Sequence, residues 1–237
     1  MSLFKPAPLE WQQKFAQKCQ RVQDARLQRF YAQPLPLACT PINELEMVAL
    51  DFETTGLDAR SDDILSIGLV PFDLQRIYLN QAHHWTVRPR QNLSEESIII
   101  HRITHSDIEH APDLETILGE VLQQLAGKVV VVHYRHIERD FFDAALRQRI
   151  GEGIEFPLLD TLQLESDYLS QIKGGWWRRL KGVKLPSLRL AQTRRRYGLP
   201  DYSAHHALTD AIATAELLQA QFAHHYDAQS AVGEFWL

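Results

Sequence analysis

Two short apolar runs, "EMVALDFE" at 46–53 and "DDILSIGLVPF" at 62–72, most constrain what this chain can fold into. Both are rich in strand-forming branched residues, and the turn-rich "TTGLDARS" joins them. "RIYLNQAHHWTVRP" reads as a third strand, antiparallel to its neighbour. The pattern then alternates. "DLETILGEVLQQLAG" predicts a helix with Asp113 in its first turn and Gly127 at its end. "KVVVVH" predicts a strand buried on both faces, and 137–150 a helix. "PLLDTLQLE" gives a short strand running into a helix, with further helices near 187–197 and from about 207 to 226. Strands first, then strands alternating with helices, predict an α/β sandwich built on a mixed sheet.

The flanks read differently. Residues 9–32 carry Leu9, Trp11, Phe15, Cys19, Val22, Leu27, Phe30 and Tyr31 at roughly helical intervals, which predicts one amphipathic helix. "QPLPLACTP" then breaks the periodicity with three prolines. The division expected is 1–43 for this helix and its proline-rich connector, 44–226 for the main domain and 227–237 for a tail. A chain of 237 residues, 45% hydrophobic, can bury one substantial core. Cys19 and Cys39 stand in no ligand or disulfide spacing, which fits a reducing compartment. The first residues carry no apolar run long enough for a signal peptide, and nothing later approaches a membrane span. A soluble, cytoplasmic protein without membrane contact is the expectation.

Acidic residues interrupt the apolar pattern at three places. In "LDFETTGL", Asp51 and Glu53 lie two apart on a strand and so face the same side. Like charges so placed raise each other's pKa unless a cation sits between them. Oxygen donors without cysteine suit Mg²⁺ or Mn²⁺; a solvated strand end is the plainer alternative. In "AHHALTDAIATAELL", Asp210 falls within an apolar helical stripe, where a carboxylate is costly unless paired or metal-bound. His205 and His206 precede it, and a neutral imidazole is the natural base for activating water. "HYRHIERDFF" offers Glu138 and Asp140, about 200° apart on a helix, so only one of them can face a given site.

Taken together these residues resemble the DnaQ-like exonucleases, the DEDDh group with a ribonuclease H-like fold. "DFETTGL" is similar to the family's D-x-E-T-T-G motif, and "HHALTDA" to H-x-A-L-x-D-A, which places His205 at the base position and makes His206 the variable neighbour. Laying "HYRHIERDFF" on the family's H-N-x-x-F-D-x-x-F-L puts Tyr134 on the asparagine and selects Glu138, in place of the usual aspartate, over Asp140. The resemblance spans roughly 46–222.

It implies a five-stranded mixed sheet flanked by helices, with an N-terminal helical extension. It also implies 3′→5′ hydrolysis of DNA or RNA to nucleoside monophosphates, with two divalent cations, Mg²⁺ or Mn²⁺, held by Asp51, Glu53, Glu138 and Asp210. His205 would be the general base. Thr54, Thr55, Leu57, His101 and Glu96 would meet the terminal nucleotide, and Asp160 reads as a helix cap or scaffold contact.

The expected partner is a single-stranded DNA or RNA 3′ end. At a net charge of −5, contact requires a local basic patch. Residues 171–197 hold nine lysines and arginines and no acid. Within them, Trp176, Trp177, Arg178, Arg179, Lys181 and Lys184 combine phosphate neutralisation with stacking; a solvated basic face is the plainer reading. The amphipathic helix at 9–32 suits covering the domain, a homodimer or a protein partner. Two alternatives accompany the exonuclease reading. One is a nucleic-acid-binding or regulatory module with weak catalysis; the other is a polymerase proofreading subunit, against which the chain closes soon after the last helix at "GEFWL".

Overall fold

The computed structural model describes residues 10–90, 105–172 and 186–237. Its centre is one mixed sheet of five strands: β1 (Met47–Thr54), β2 (Ile64–Phe72), β3 (His83–Thr86), β4 (Val129–Val132) and β5 (Leu158–Asp160). The order is β3-β2-β1-β4-β5. The first three strands are mutually antiparallel, and β4 and β5 run parallel to β1. Strand β1 is therefore central, and its apolar residues are wholly buried, as is the entire Val129–Val132 run. The third strand is shorter than its sequence suggests. Phe72 and Ile77 form only an isolated bridge, and a 3₁₀ turn at Leu79–Gln81 intervenes.

Eight α-helices belong to the described residues: α1 (Trp11–Arg21), α2 (Ala25–Tyr31), α3 (His105–Glu109), α4 (Leu114–Leu125), α5 (His136–Ile150), α6 (Thr161–Ile172), α7 (Leu190–Arg196) and α8 (Ala207–His224). Helix α4 is capped by Asp113, whose carboxylate accepts from the Glu115 N–H. Helix α5 ends at Gly151 in the left-handed conformation. On one face of the sheet, Phe142 of α5 meets Phe52 edge-on at 5.6 Å. The other face carries α8, packed across β1 and β2.

Gly68 makes that second packing possible. It pairs directly with Asp51 across the β1–β2 ladder. A side-chain carbon at Gly68 would overlap the backbone of Ala207 and Leu208. The N-terminus of α8 can thus press against the strands at the level of Asp51.

The N-terminal segment is two helices, not the single one its periodicity predicts. Val22 turns extended, and the Glu152 carboxylate accepts the N–H groups of Gln23 (2.8 Å) and Asp24 (2.7 Å). Asp24 then caps α2 through the Arg26 N–H. Trp11, Phe15, Leu27, Phe30 and Tyr31 all join the main core. Beyond α8 the chain pairs with the proline-rich connector: Pro41 bridges Ala231, the Ile42 N–H donates to Ser230 O, and Val232 and Trp236 are buried. No helix among the described residues is long and apolar enough to cross a membrane.

Candidate active site

The site forms where the C-terminal half of β1 meets the start of α8. Asp51 and Glu53 alternate with Phe52, so they face α8 while Phe52 faces α5. The ladder slips between Glu53 and Thr54, just before the last pair of β1, Thr54 with Ile64. Asp210 lies in the first turn of α8. Asp51, Glu53 and Asp210 each bring an oxygen within 4.8 Å of the other two.

Glu138 reaches the same region from the first turn of α5 and is 1% exposed. It lies outside that closest trio, yet its charge, after burial itself, contributes most to holding Asp51 in its protonated form. Asp140 lies elsewhere. It is exposed, bonded to His136, and lines a groove on the outer side of α5.

Burial and mutual repulsion dominate the electrostatics. Burial first, then the charges of Glu138, Asp210 and Glu53, push Asp51 well above the usual carboxylate range. Burial likewise raises Glu138, although the N–H groups of Phe52 and of Glu138 itself oppose it. Asp210 is pushed up to about 6, by burial and then by Glu53, against the stabilising N–H of His205 and hydroxyl of Tyr202. Glu138 Oε2 and Asp210 Oδ1 are buried without a hydrogen-bond partner. Orphaned carboxylate oxygens in an all-oxygen donor set with no thiolate fit a hard divalent cation, which would relieve both costs.

His205 adopts a left-handed backbone (φ 69), and its N–H donates to Asp210 Oδ2 at 3.0 Å. It stands exposed between two recesses. One, of about 830 Å³, is also lined by Asp51, His133, Tyr134 and Asp210; the other, of about 410 Å³, by Glu53, His84 and His206. His206 caps α8 by accepting the Thr209 N–H, and it stacks on His84 at 4.5 Å.

The threonines are built into the turn after β1. Thr54 Oγ1 donates to Gly56 O at 2.6 Å, Thr55 Oγ1 donates to Asp62, and Thr55 Oγ1 also accepts the Asp63 N–H. Leu57 projects from this turn, 87% exposed. Asp160 is a scaffold residue, as its sequence context suggests. It is buried and accepts the N–H groups of Tyr134, Arg135 and Leu162. His133, pushed down to about 4 by burial, donates from Nε2 to Leu188 O and so ties β4 to the segment before α7.

Glu96, His101, Trp176, Trp177, Arg178, Arg179, Lys181 and Lys184 lie outside the described residues. The arginines at the end of the basic stretch are consumed internally: Arg194 pairs with Glu216, Arg195 with Asp201 and Arg196 with Glu165.

Two contributors were missed by sequence reasoning. Gly68 sets the approach of α8, and a glycine inside a strand pattern was the available signal. Tyr202, whose hydroxyl bonds Asp210 and whose ring lies 5.0 Å from the Arg194 guanidinium, gave no local signal.

A five-stranded mixed sheet with helices on both faces and acids gathered at the end of its central strand defines a nuclease of the ribonuclease H-like fold. Residues 48–218 match the RNase_T exonuclease family, and the chain belongs to it. Divalent metal ions are the family's general cofactor.

Among relatives, a DNA polymerase III PolC-type protein of Thermotoga maritima is 31% identical over 170 residues, which are 72% of this chain and 11% of that protein. A DNA polymerase III subunit epsilon of Treponema pallidum is 26% identical over 75% of this chain and 76% of its own length. The chain thus spans only about a tenth of the PolC-type relatives. Among solved structures, the nuclease domain of 3′hExo, a DEDDh family member bound to rAMP, superposes with a TM-score of 0.62 at 15% identity, covering 77% of this chain and 94% of that one. Exonuclease X in complex with 5′ overhanging duplex DNA gives 0.57 at 19% identity, covering 78% and 97%. These two likenesses are of fold.

Proposed function

We propose that this exonuclease removes nucleotides from the 3′ end of single-stranded nucleic acid, with Asp51, Glu53, Glu138 and Asp210 holding two divalent cations, Mg²⁺ or Mn²⁺. The observation that carries this reading is the convergence within 4.8 Å of three acids, Asp51 and Glu53 from β1 and the distant Asp210 from α8, beside a fourth that is fully buried. Bound there, the cations supply Lewis-acid polarisation of the phosphodiester and of the attacking water. His205 accepts the water's proton on a ring nitrogen. Its backbone N–H on Asp210 Oδ2 fixes the imidazole-bearing residue relative to a ligand carboxylate. Tyr202 also holds this carboxylate through its hydroxyl. Leu57, which projects exposed from the turn that Thr54 and Thr55 brace, would wedge against a terminal base.

The relatives' names, DNA polymerase III PolC-type and subunit epsilon, favour DNA over RNA as substrate. Matched DNA and RNA oligomers carrying a 5′ label, incubated with Mn²⁺, test the reading. A descending ladder is expected, lost in Asp51→Asn and Glu138→Gln and kept in Asp140→Asn. Immediate release of the labelled terminal nucleotide would refute the polarity. Loss in Asp140→Asn with retention in Glu138→Gln would refute the ligand assignment.

A further inference from the structure

Tyr134 stands in a left-handed conformation (φ 80), which a bulky side chain adopts only where its surroundings hold it. The restraint is visible. Asp160, itself buried, accepts the N–H groups of Tyr134 at 3.0 Å and Arg135 at 3.1 Å. On the other side, Tyr134 O accepts the Ile137 N–H at 3.1 Å as α5 begins. Asparagine, which the family motif carries here, suits such a backbone. Tyrosine does not, and its ring contributes nothing to the core: the residue is 47% exposed.

The ring occupies the seam between two hollows. It lines the recess that holds Asp51, His205 and Asp210, and also the groove that runs past Leu57, His136 and Ile137. Its aromatic neighbour His136 is tilted by 59° at 5.3 Å, so this contact is not a parallel stack.

We propose that Tyr134 is a stacking platform for a nucleobase flanking the scissile phosphate. The inference rests on the exonuclease reading and adds a substrate-positioning residue to it. The exposed ring carries no charge with which to hold a phosphate, whereas a base presents a π-face to it. Such stacking is tolerant of sequence. It orients the strand across the carboxylates without consuming any of them.

The test uses full-length protein with Mn²⁺ and short DNA oligomers, either intact or abasic at the terminal or the penultimate position. Tyr134→Ala should raise KM for the intact oligomer roughly 5- to 150-fold, the span of one lost base–aromatic stack. Tyr134→Phe should restore it. Tyr134→Asn should show the same rise in KM together with a higher Tm, because asparagine relieves the backbone. Removing the stacked base should raise the wild-type KM by a similar factor while leaving Tyr134→Ala almost unaffected. A merely structural residue would not show that coupling.

A KM for Tyr134→Ala within about twofold of wild type overturns the platform, as does an abasic penalty undiminished in that variant at both positions. Failure of the wild type to degrade the intact oligomer at all would instead sink the exonuclease reading.

Discussion

Replacing Asp210 with asparagine should make the metal-free protein more stable. Asp210 is pushed from an ordinary 3.8 to about 6, first by burial and then by Glu53. Between those values the folded chain holds a proton that the unfolded chain has released. Stability therefore falls as pH rises through that window and stays lost above it. At about 1.4 kcal/mol per pH unit, the ionised carboxylate costs ~3 kcal/mol at pH 8. Asp51 and Glu138 are displaced in the same direction, so neutralising one acid also eases its neighbours. The substituted amide keeps an oxygen that can accept the His205 N–H, now 3.0 Å from the carboxylate.

In EDTA at pH 8, Asp210→Asn should gain roughly 1–3 kcal/mol over wild type, or about 3–10 °C in Tm for a domain of this size. Near pH 4 the gain should vanish. Mn²⁺ should raise the Tm of the wild type more than that of the variant. Thermal melts across pH, with and without metal, read all three effects. An equal or lower Tm for Asp210→Asn in EDTA at pH 8, or a gain that persists undiminished at pH 4, would refute the electrostatic account of the site.

Gly68→Ala should reduce kcat/KM at least about tenfold while the protein stays folded, because the added carbon displaces the start of α8 from β2 and carries His205 and Asp210 away from Asp51; steady-state rates beside circular dichroism separate the two effects. Arg149→Met should cost ~3–5 kcal/mol in urea unfolding. Its guanidinium, fully buried, bonds Asp63 at 2.8 Å and Asp113 at 3.1 Å, and both acids lose that partner.

The fold was legible wherever one periodicity governed a whole element. Val129–Val132 is apolar on both faces because helices cover both, and Asp113 and Gly127 mark the limits of α4 through local backbone chemistry. Legibility failed where a distant residue decided a local conformation. The period of residues 9–32 is helical throughout, yet the helix breaks at Gln23 and Asp24, whose N–H groups find acceptors on Glu152, 129 and 128 positions away. The short 227–237 tail has six apolar residues among its eleven, but they follow neither a helical nor a strand period. Its place in the core follows from backbone pairing with the connector, which no periodicity records.

At the site, the choice between Glu138 and Asp140 shows how far a register can be trusted. Both sit at the start of α5, and composition cannot separate them. The helical angle between them separates them fully: Ile137 packs against the core, Phe141 is buried, and Glu138 shares their inward side, while Asp140 turns to water and His136. What the sequence alone could not convey is why α5 starts where it does. That depends on Asp160, which gathers the N–H groups of Tyr134 and Arg135 ahead of α5 and of Leu162 at the start of α6. One buried carboxylate thus fixes the phase of the helix that delivers Glu138. The longer side chain at 138 needs no change in that phase, since one methylene extends its reach by little more than an ångström. Glutamate at 138 therefore keeps its carboxyl on the inward side of α5, whereas a substitution at Asp160 would rotate or unravel the turn that aims it.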